Sequence, residues 1–143
     1  MEHVADYETA LAELYRVIKP GGRIAVTIPT ETSELLYLAL SNSYFESPGG
    51  HIRIFKPRML ALSLAKSGFV DISAGFAHAF HTPYWALRCL IGLSLADQNY
   101  LIKNFRWLLL EATRSKVAQR VESFLNFVFP KSLVLYARRR DST

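Results

Sequence analysis

The apolar positions near the start of the chain fall at helical spacing. Tyr7, Ala10, Leu11, Leu14, Val17 and Ile18 share one face, which predicts a helix over 6–18. Asp6 suits the N-cap, Glu8 the positive end and Lys19 the negative end. Pro20 stops the helix, and Pro20-Gly21-Gly22 suits a tight turn with a positive φ at its third position. The run Arg23-Ile24-Ala25-Val26-Thr27-Ile28 then reads as a short strand, parallel and buried on both faces. Helix, tight turn and buried strand together predict an α/β fold. The segment that closes the strand, Pro29-Thr30-Glu31-Thr32, is where open α/β sheets carry ligand-binding loops.

The pattern continues with a helix over Glu31–Asn42, in which Leu35, Leu36, Leu38, Ala39 and Leu40 supply the apolar positions. A long loop over 43–56 contains Ser47-Pro48-Gly49-Gly50. A further helix starts at Pro57, carries Leu60, Leu64 and Ala65 on one face with Met59 and Leu62 beside it, and ends at Gly68. From Phe69 to Phe80 the residues alternate. Val70, Ile72, Ala74 and Phe76 point one way, and Asp71 and Ser73 the other. Residues 83–129 are mostly helical, with stripes of Leu101, Phe105, Leu108 and Ala112 and of Val117, Val121, Phe124 and Val128. Pro130 breaks the run before a last strand, Ser132–Ala137, and a basic tail, Arg138-Arg139-Arg140.

Composition narrows the class. The 143 residues are 50% hydrophobic and 20% charged, which suits one domain with a real core and excludes a disordered chain. The single cysteine, Cys89, excludes an internal disulfide and a cysteine-based zinc site, and it suits a reducing cytoplasm. Cys89 itself reads as a small buried hydrophobe. Residues 1–50 carry net −4 and residues 51–143 net +9, so the second half can face an anionic substrate or a membrane surface. No secretory signal or spanning helix is expected. The most apolar stretch, Tyr84–Ala96, is interrupted by Arg88 and suits a pocket lid or a helix lying on a bilayer.

Three segments carry a resemblance. Leu14-Tyr15-Arg16-Val17-Ile18-Lys19-Pro20-Gly21-Gly22-Arg23-Ile24 resembles the helix–turn–strand signature that leads into the fifth strand of class I S-adenosylmethionine-dependent methyltransferases. Glu2-His3-Val4-Ala5-Asp6 resembles the stretch after their fourth strand. His51-Ile52-Arg53-Ile54-Phe55-Lys56-Pro57 resembles the segment before the helix that leads to their sixth strand, and Gly68-Phe69 the entry to that strand. The resemblance covers 1–80 well and 130–138 loosely. It implies a partial Rossmann-like sheet, with strands equivalent to the fifth, sixth and seventh, flanking helices and a helical insertion over 82–129. Lys56 departs from the family's usual Ser or Thr and cannot cap the helix that follows.

The family's glycine-rich cofactor loop after its first strand has no counterpart here, since the only glycine pairs are Gly21-Gly22 and Gly49-Gly50. The resemblance therefore implies residues 1–143 as the C-terminal, truncated half of a methyltransferase domain, inactive alone, with most of the S-adenosylmethionine site elsewhere. The strand over 23–28 is then expected to present an open edge for self-association or for an N-terminal-half partner.

The resemblance implies these site residues. Glu2 and His3 lie on the cofactor side. His51 is the candidate base, because a neutral imidazole accepts a proton near pH 7. Pro29, Thr30, Arg53 and Phe55 sit on loops at the strand ends, with Arg53 suited to clamp an anionic acceptor. Tyr84 and Trp85 suit an apolar pocket, so the methyl acceptor is expected to be small or lipid-like. Trp107 reads as packing. His78 and His81 have no nearby carboxylate or cysteine in sequence, and no metal site is expected. Two other classes stay open: a non-catalytic subunit that binds a partner, and a basic helical module for membranes or nucleic acid, built on Arg114, Lys116, Arg120 and the Arg138–Arg140 run. The absence of a nucleic-acid motif ranks nucleic-acid binding last, and none is expected.

Overall fold

The computed structural model describes residues 1–46 and 51–141, so the Ser47–Gly50 part of the expected loop lies outside the described residues. The elements run α1 (Tyr7–Val17), β1 (Arg23–Pro29), α2 (Glu31–Leu40), α3 (Ser43–Glu46), α4 (Pro57–Lys66), β2 (Phe69–Ala77), α5 (His81–Ile91), α6 (Leu93–Ala96), α7 (Tyr100–Arg114), α8 (Lys116–Leu125) and β3 (Ser132–Arg139).

Asp6 caps α1 by accepting from the Thr9 amide, and its carboxylate also accepts from the Thr9 hydroxyl. The turn after α1 closes with the Gly22 N–H donating to Lys19 O at 2.8 Å, and Gly21 takes φ +72° at its third position. Lys56 makes no side-chain cap at the start of α4.

The sheet order is β1-β3-β2, and β3 is antiparallel to both neighbours. Among the described residues β1 therefore pairs only antiparallel, not in the parallel ladder its apolar run suggested. One face of β1 is packed along its length, and the other only at its end, where Pro29 is buried. Val26 and Ile28 are buried with Leu133, Leu135, Leu11, Leu60, Leu64 and Phe69, whereas Ala25 and Thr27 are exposed on the opposite face. Ile24, Val26 and Ile28 stand opposite Ala137, Leu135 and Leu133, so one row of side chains meets α1 and α4.

Strand β2 corrects the expected alternation. A register shift between Val70 and Ser73 lets three residue steps face two on β3, and Asp71 sits at φ +54° inside it. The bulge changes the parity of the strand. Phe69 takes the core position, while Val70 joins Ser73 on the other face and Ile72 packs on the core. Ala74 and Phe76 keep the core side, but they lie at the exposed end of the edge strand.

The helices differ more. On α2 the buried residues are Ser33, Glu34 and Tyr37, while Leu35, Leu36 and Leu38 are exposed, so the helix is turned inside out relative to its leucines. On α7 the inward positions are Ile102, Phe105 and Leu109, and Leu101 and Leu108 are exposed. The Val117–Val128 stripe of α8 faces outward. Tyr84–Ala96 packs inward through Tyr84, Cys89 and Ala96, so it is not a free amphipathic lid. The expected tail is in part strand. Arg138 pairs with Asp71 and Asp141, and Arg139 donates to the carbonyls of Arg16 and Ile18 at the end of α1.

Candidate functional site

The site grows from the end of β1. Thr30 caps α2 by accepting from the Ser33 amide at 3.2 Å, and its hydroxyl donates to Pro130 O at 2.8 Å. The Thr30 amide and the Ser33 hydroxyl both donate to Lys131 O, and the Thr82 hydroxyl donates to Phe129 O. These bonds pin residues 129–131 between α2 and α5, which places the Lys131 side chain above the first turns of both helices. Its Nζ lies 5.7 Å from the Trp85 ring. Burial pulls the Lys131 ammonium below the ordinary lysine range, and Glu34 and Glu2 oppose that shift.

The inverted face of α2 supplies the centre. Glu34 is 2% exposed. Its carboxylate accepts from the Tyr44 hydroxyl at 3.0 Å and meets His51 Nδ1 at 2.5 Å. A buried carboxylate needs such partners, because an unpaired one costs several kcal/mol. Burial, then the charge of Glu34 and the bond to it, raises the Tyr44 phenol well above its ordinary value, so Tyr44 stays a donor. Tyr37, also buried, donates to Thr82 O at 3.3 Å. Tyr44 stands edge-on to His51 at 5.5 Å and to Trp85 at 5.9 Å.

The amino-terminal segment is tied to the same place by the Ile52 amide, which donates to Glu2 O at 3.1 Å. Glu2 Oε1 then lies 3.9 Å from His51 Nε2 and 4.0 Å from His3 Nε2, and the two imidazole rings are 4.8 Å apart. Burial opposes ionisation of Glu2, but backbone hydrogen bonding, the nearby terminal ammonium and His51 outweigh it and hold the carboxyl below its usual range.

Glu2, His3 and His51 thus meet beside Glu34 and Tyr44, and Trp85 joins them through the Tyr44 ring and Lys131, while Pro29 and Thr30 are buried at the start of α2. Three expected residues stand apart. Phe55 is 7% exposed in the core under α1 and α4, edge-on to Tyr7. Arg53 is a tether, with Nη2 donating to Ala5 O at 2.6 Å and its guanidinium 4.9 Å from the Tyr7 ring. Tyr84 is buried between α5 and α7, bonded to Arg88 at 3.2 Å and edge-on to Phe105. Sequence reasoning missed Glu34, Tyr44 and Lys131. A lone Glu among leucines and a Lys after a helix-breaking Pro carry no periodic signal. The near signal was Ser33 and Glu34 falling with Tyr37 at helical spacing.

Gly21 and Gly22 do not cradle a nucleotide. A Cβ at Gly21 would meet Asp141 Oδ1 at 2.6 Å, and one at Gly22 would meet Ile18 and Lys19 at 2.6 and 2.7 Å, so the chain itself fills that space.

The helices and the antiparallel sheet of order β1-β3-β2 make a mixed α/β architecture that matches part of a methyltransferase fold. The family profile described as a methyltransferase domain matches residues 1–74, and the chain belongs to that family. No curated relative matches. Among solved structures, a SAM-dependent methyltransferase from Archaeoglobus fulgidus aligns with TM-score 0.52 and 17% identity, over 96% of this chain and 55% of that one. Phosphoethanolamine N-methyltransferase 2 from Haemonchus contortus, in complex with S-adenosyl-L-methionine, aligns with TM-score 0.49 and 16% identity, over 98% and 31%. The likeness to the Archaeoglobus protein is one of fold, and this chain spans about half its length.

Proposed function

We propose that these 143 residues form the C-terminal, acceptor-handling half of an S-adenosylmethionine-dependent methyltransferase, with 82–129 as a helical insertion before the last strand. The donor carries the reactive methyl group on a sulfonium, so this part of the protein has to hold the acceptor and manage its proton. His51 is the proton acceptor. The Glu34 carboxylate fixes the Nδ1–H tautomer, turns Nε2 toward Glu2 and stabilises the imidazolium that forms. Glu2 and His3 lie on the donor side. Pro29, Thr30 and Trp85 border the acceptor, and Lys131 offers it a positive charge. The Tyr44 ring against His51, with Trp85 beyond it, suits a small or lipid-like acceptor. The observation that carries this reading is the buried Glu34–His51 contact at the carboxyl end of β1. The donor cradle and a strand for the free edge of β1 come, in this reading, from sequence outside these residues.

Isothermal titration with S-adenosylmethionine tests the reading, using this chain and a version extended upstream in parallel. Micromolar binding only by the extended protein is expected. Clear binding by the 143 residues alone would overturn the placement of the cradle. An extended protein that binds nothing would favour a non-catalytic partner-binding subunit.

A further inference from the structure

The segment from α7 through the end of α8 carries apolar side chains that its own fold leaves uncovered. Val117, Val121 and Phe124 of α8 are 70, 48 and 71% exposed, and Val128 just beyond is 66% exposed. Steps of four and three residues place Val117, Val121 and Phe124 on one helical face, and Val128 follows in the turn after it. The opposite side carries polar Glu122, with Asn126 just beyond, and it is the side that holds α8 to the protein. Asn126 Oδ1 accepts from the Ala79 amide at 2.9 Å, and Glu122 Oε1 accepts from the Phe80 amide at 3.3 Å. A short helix anchored through its polar side with its valines and phenylalanine outward inverts the usual packing of a globular surface helix.

Charge identifies what covers this face. Exposed Lys116 and Arg120 fall beside the apolar stripe, and α7, which packs against α8, exposes Lys103 and Arg106. Apolar residues fringed by Lys and Arg are the pattern of a helix lying in the headgroup layer of an anionic bilayer. Two other occupants fit less well. A second copy packed antiparallel on this face about a two-fold axis would set the Lys116 and Arg120 edge against the same edge of its partner. Further strands would pair at the free edge of β1, whereas α8 borders the opposite edge. Ser123, Asn126 and Phe127 share a groove with Ala74, Gly75 and Phe76 of β2, two strand spacings or about 10 Å from β1.

We propose that α8, with the exposed side of α7, docks this protein on an anionic lipid surface. The surface holds the protein where a lipid-like acceptor resides, although docking does not depend on the methyltransferase reading. Flotation with vesicles of pure phosphatidylcholine, and of phosphatidylcholine with about 30% phosphatidylserine, tests it with the full 143-residue chain. Binding to the anionic vesicles that weakens with salt is expected. The double substitution V121E/F124E should lower partitioning more than about tenfold. The charge variant K116E/R120E should remove the preference for phosphatidylserine while leaving the apolar face intact. Both pairs are exposed, and circular dichroism checks that each variant is folded. No partitioning of the wild-type chain, or partitioning unchanged in both variants, would overturn the proposal. So would a dimer in solution that V121E/F124E dissociates.

Discussion

Substituting Glu34 tests the centre of the site without any assumption about substrate. Its carboxylate serves the buried Tyr44 hydroxyl at 3.0 Å and the half-buried His51 Nδ1 at 2.5 Å. Glu34→Ala removes both bonds to a charged acceptor, at about 1–3 kcal/mol each, so a loss of roughly 2–6 kcal/mol is expected. Domains of this size have about 5–15 kcal/mol in total, and the variant should therefore unfold at clearly lower urea. Tyr44→Phe removes one donor and leaves the His51 contact in place. The double-mutant cycle between the two isolates the Tyr44–Glu34 bond, and a coupling of about 1.5–3 kcal/mol is expected for a bond to a charged acceptor. Urea unfolding of the four proteins, followed by circular dichroism, gives the cycle. A coupling below about 0.5 kcal/mol would mean that Tyr44 does not serve the carboxylate, and the buried network would be misassigned.

Gly68 and Gly92 both hold positive φ, +99° and +95°, but only Gly68 is crowded, with a Cβ meeting the Tyr15 ring at 2.9 Å. Gly92→Ala should cost about 1 kcal/mol from backbone strain, and Gly68→Ala at least about 1 kcal/mol more; equal shifts in Tm would show that the ring yields freely. Burial, followed by neighbouring His78, holds His81 below the ordinary histidine value, so in that window the unfolded chain binds a proton that the folded chain does not. Stability should therefore fall as pH drops from about 7 to 5, and His81→Gln should flatten the slope, read from urea midpoints across that range.

Local patterns in the chain carried the frame but not the inner face of the site. Helix α1, the turn at Gly21, the proline-led α4 and the last strand all follow from local signals: a cap, a positive φ, a missing N–H and a short apolar run after a proline. The errors arose where tertiary context overrules periodicity. The bulge at Asp71 exchanges Phe69 for Val70 in the core, because one extra residue flips the parity of a strand. In α2 the leucines are the obvious apolar face, yet the helix buries Ser33, Glu34 and Tyr37 because each of them has a specific partner. Ser33 bonds Lys131 O, Glu34 bonds Tyr44 and His51, and Tyr37 bonds Thr82 O. Those partners lie up to 98 residues away in sequence, and no window along the chain reveals them. His51 was legible from its motif, but the carboxylate that orients it was not.

On the two proposals above, the outward leucines of α2 and the outward stripe of α8 are two surfaces with different occupants, and amide exchange can tell them apart. Leu35, Leu36 and Leu38 follow directly on β1, whose edge away from β3 has no ladder among the described residues. Sequence that extends the sheet would pair with that edge and bring new packing beside α2. It would not reach α8, which borders β2. In a protein extended upstream, exchange should slow in β1 and α2 and stay unchanged over Lys116–Leu125. Anionic vesicles added to the 143-residue chain should do the reverse, slowing α8 and leaving β1 as it was. If the upstream sequence also protected α8, its apolar stripe would be an internal interface, and the lipid assignment would fail even if the chain alone bound vesicles. If it protected neither β1 nor α2, the added sequence would not continue this sheet, and the half-domain reading would fail while the lipid surface stood.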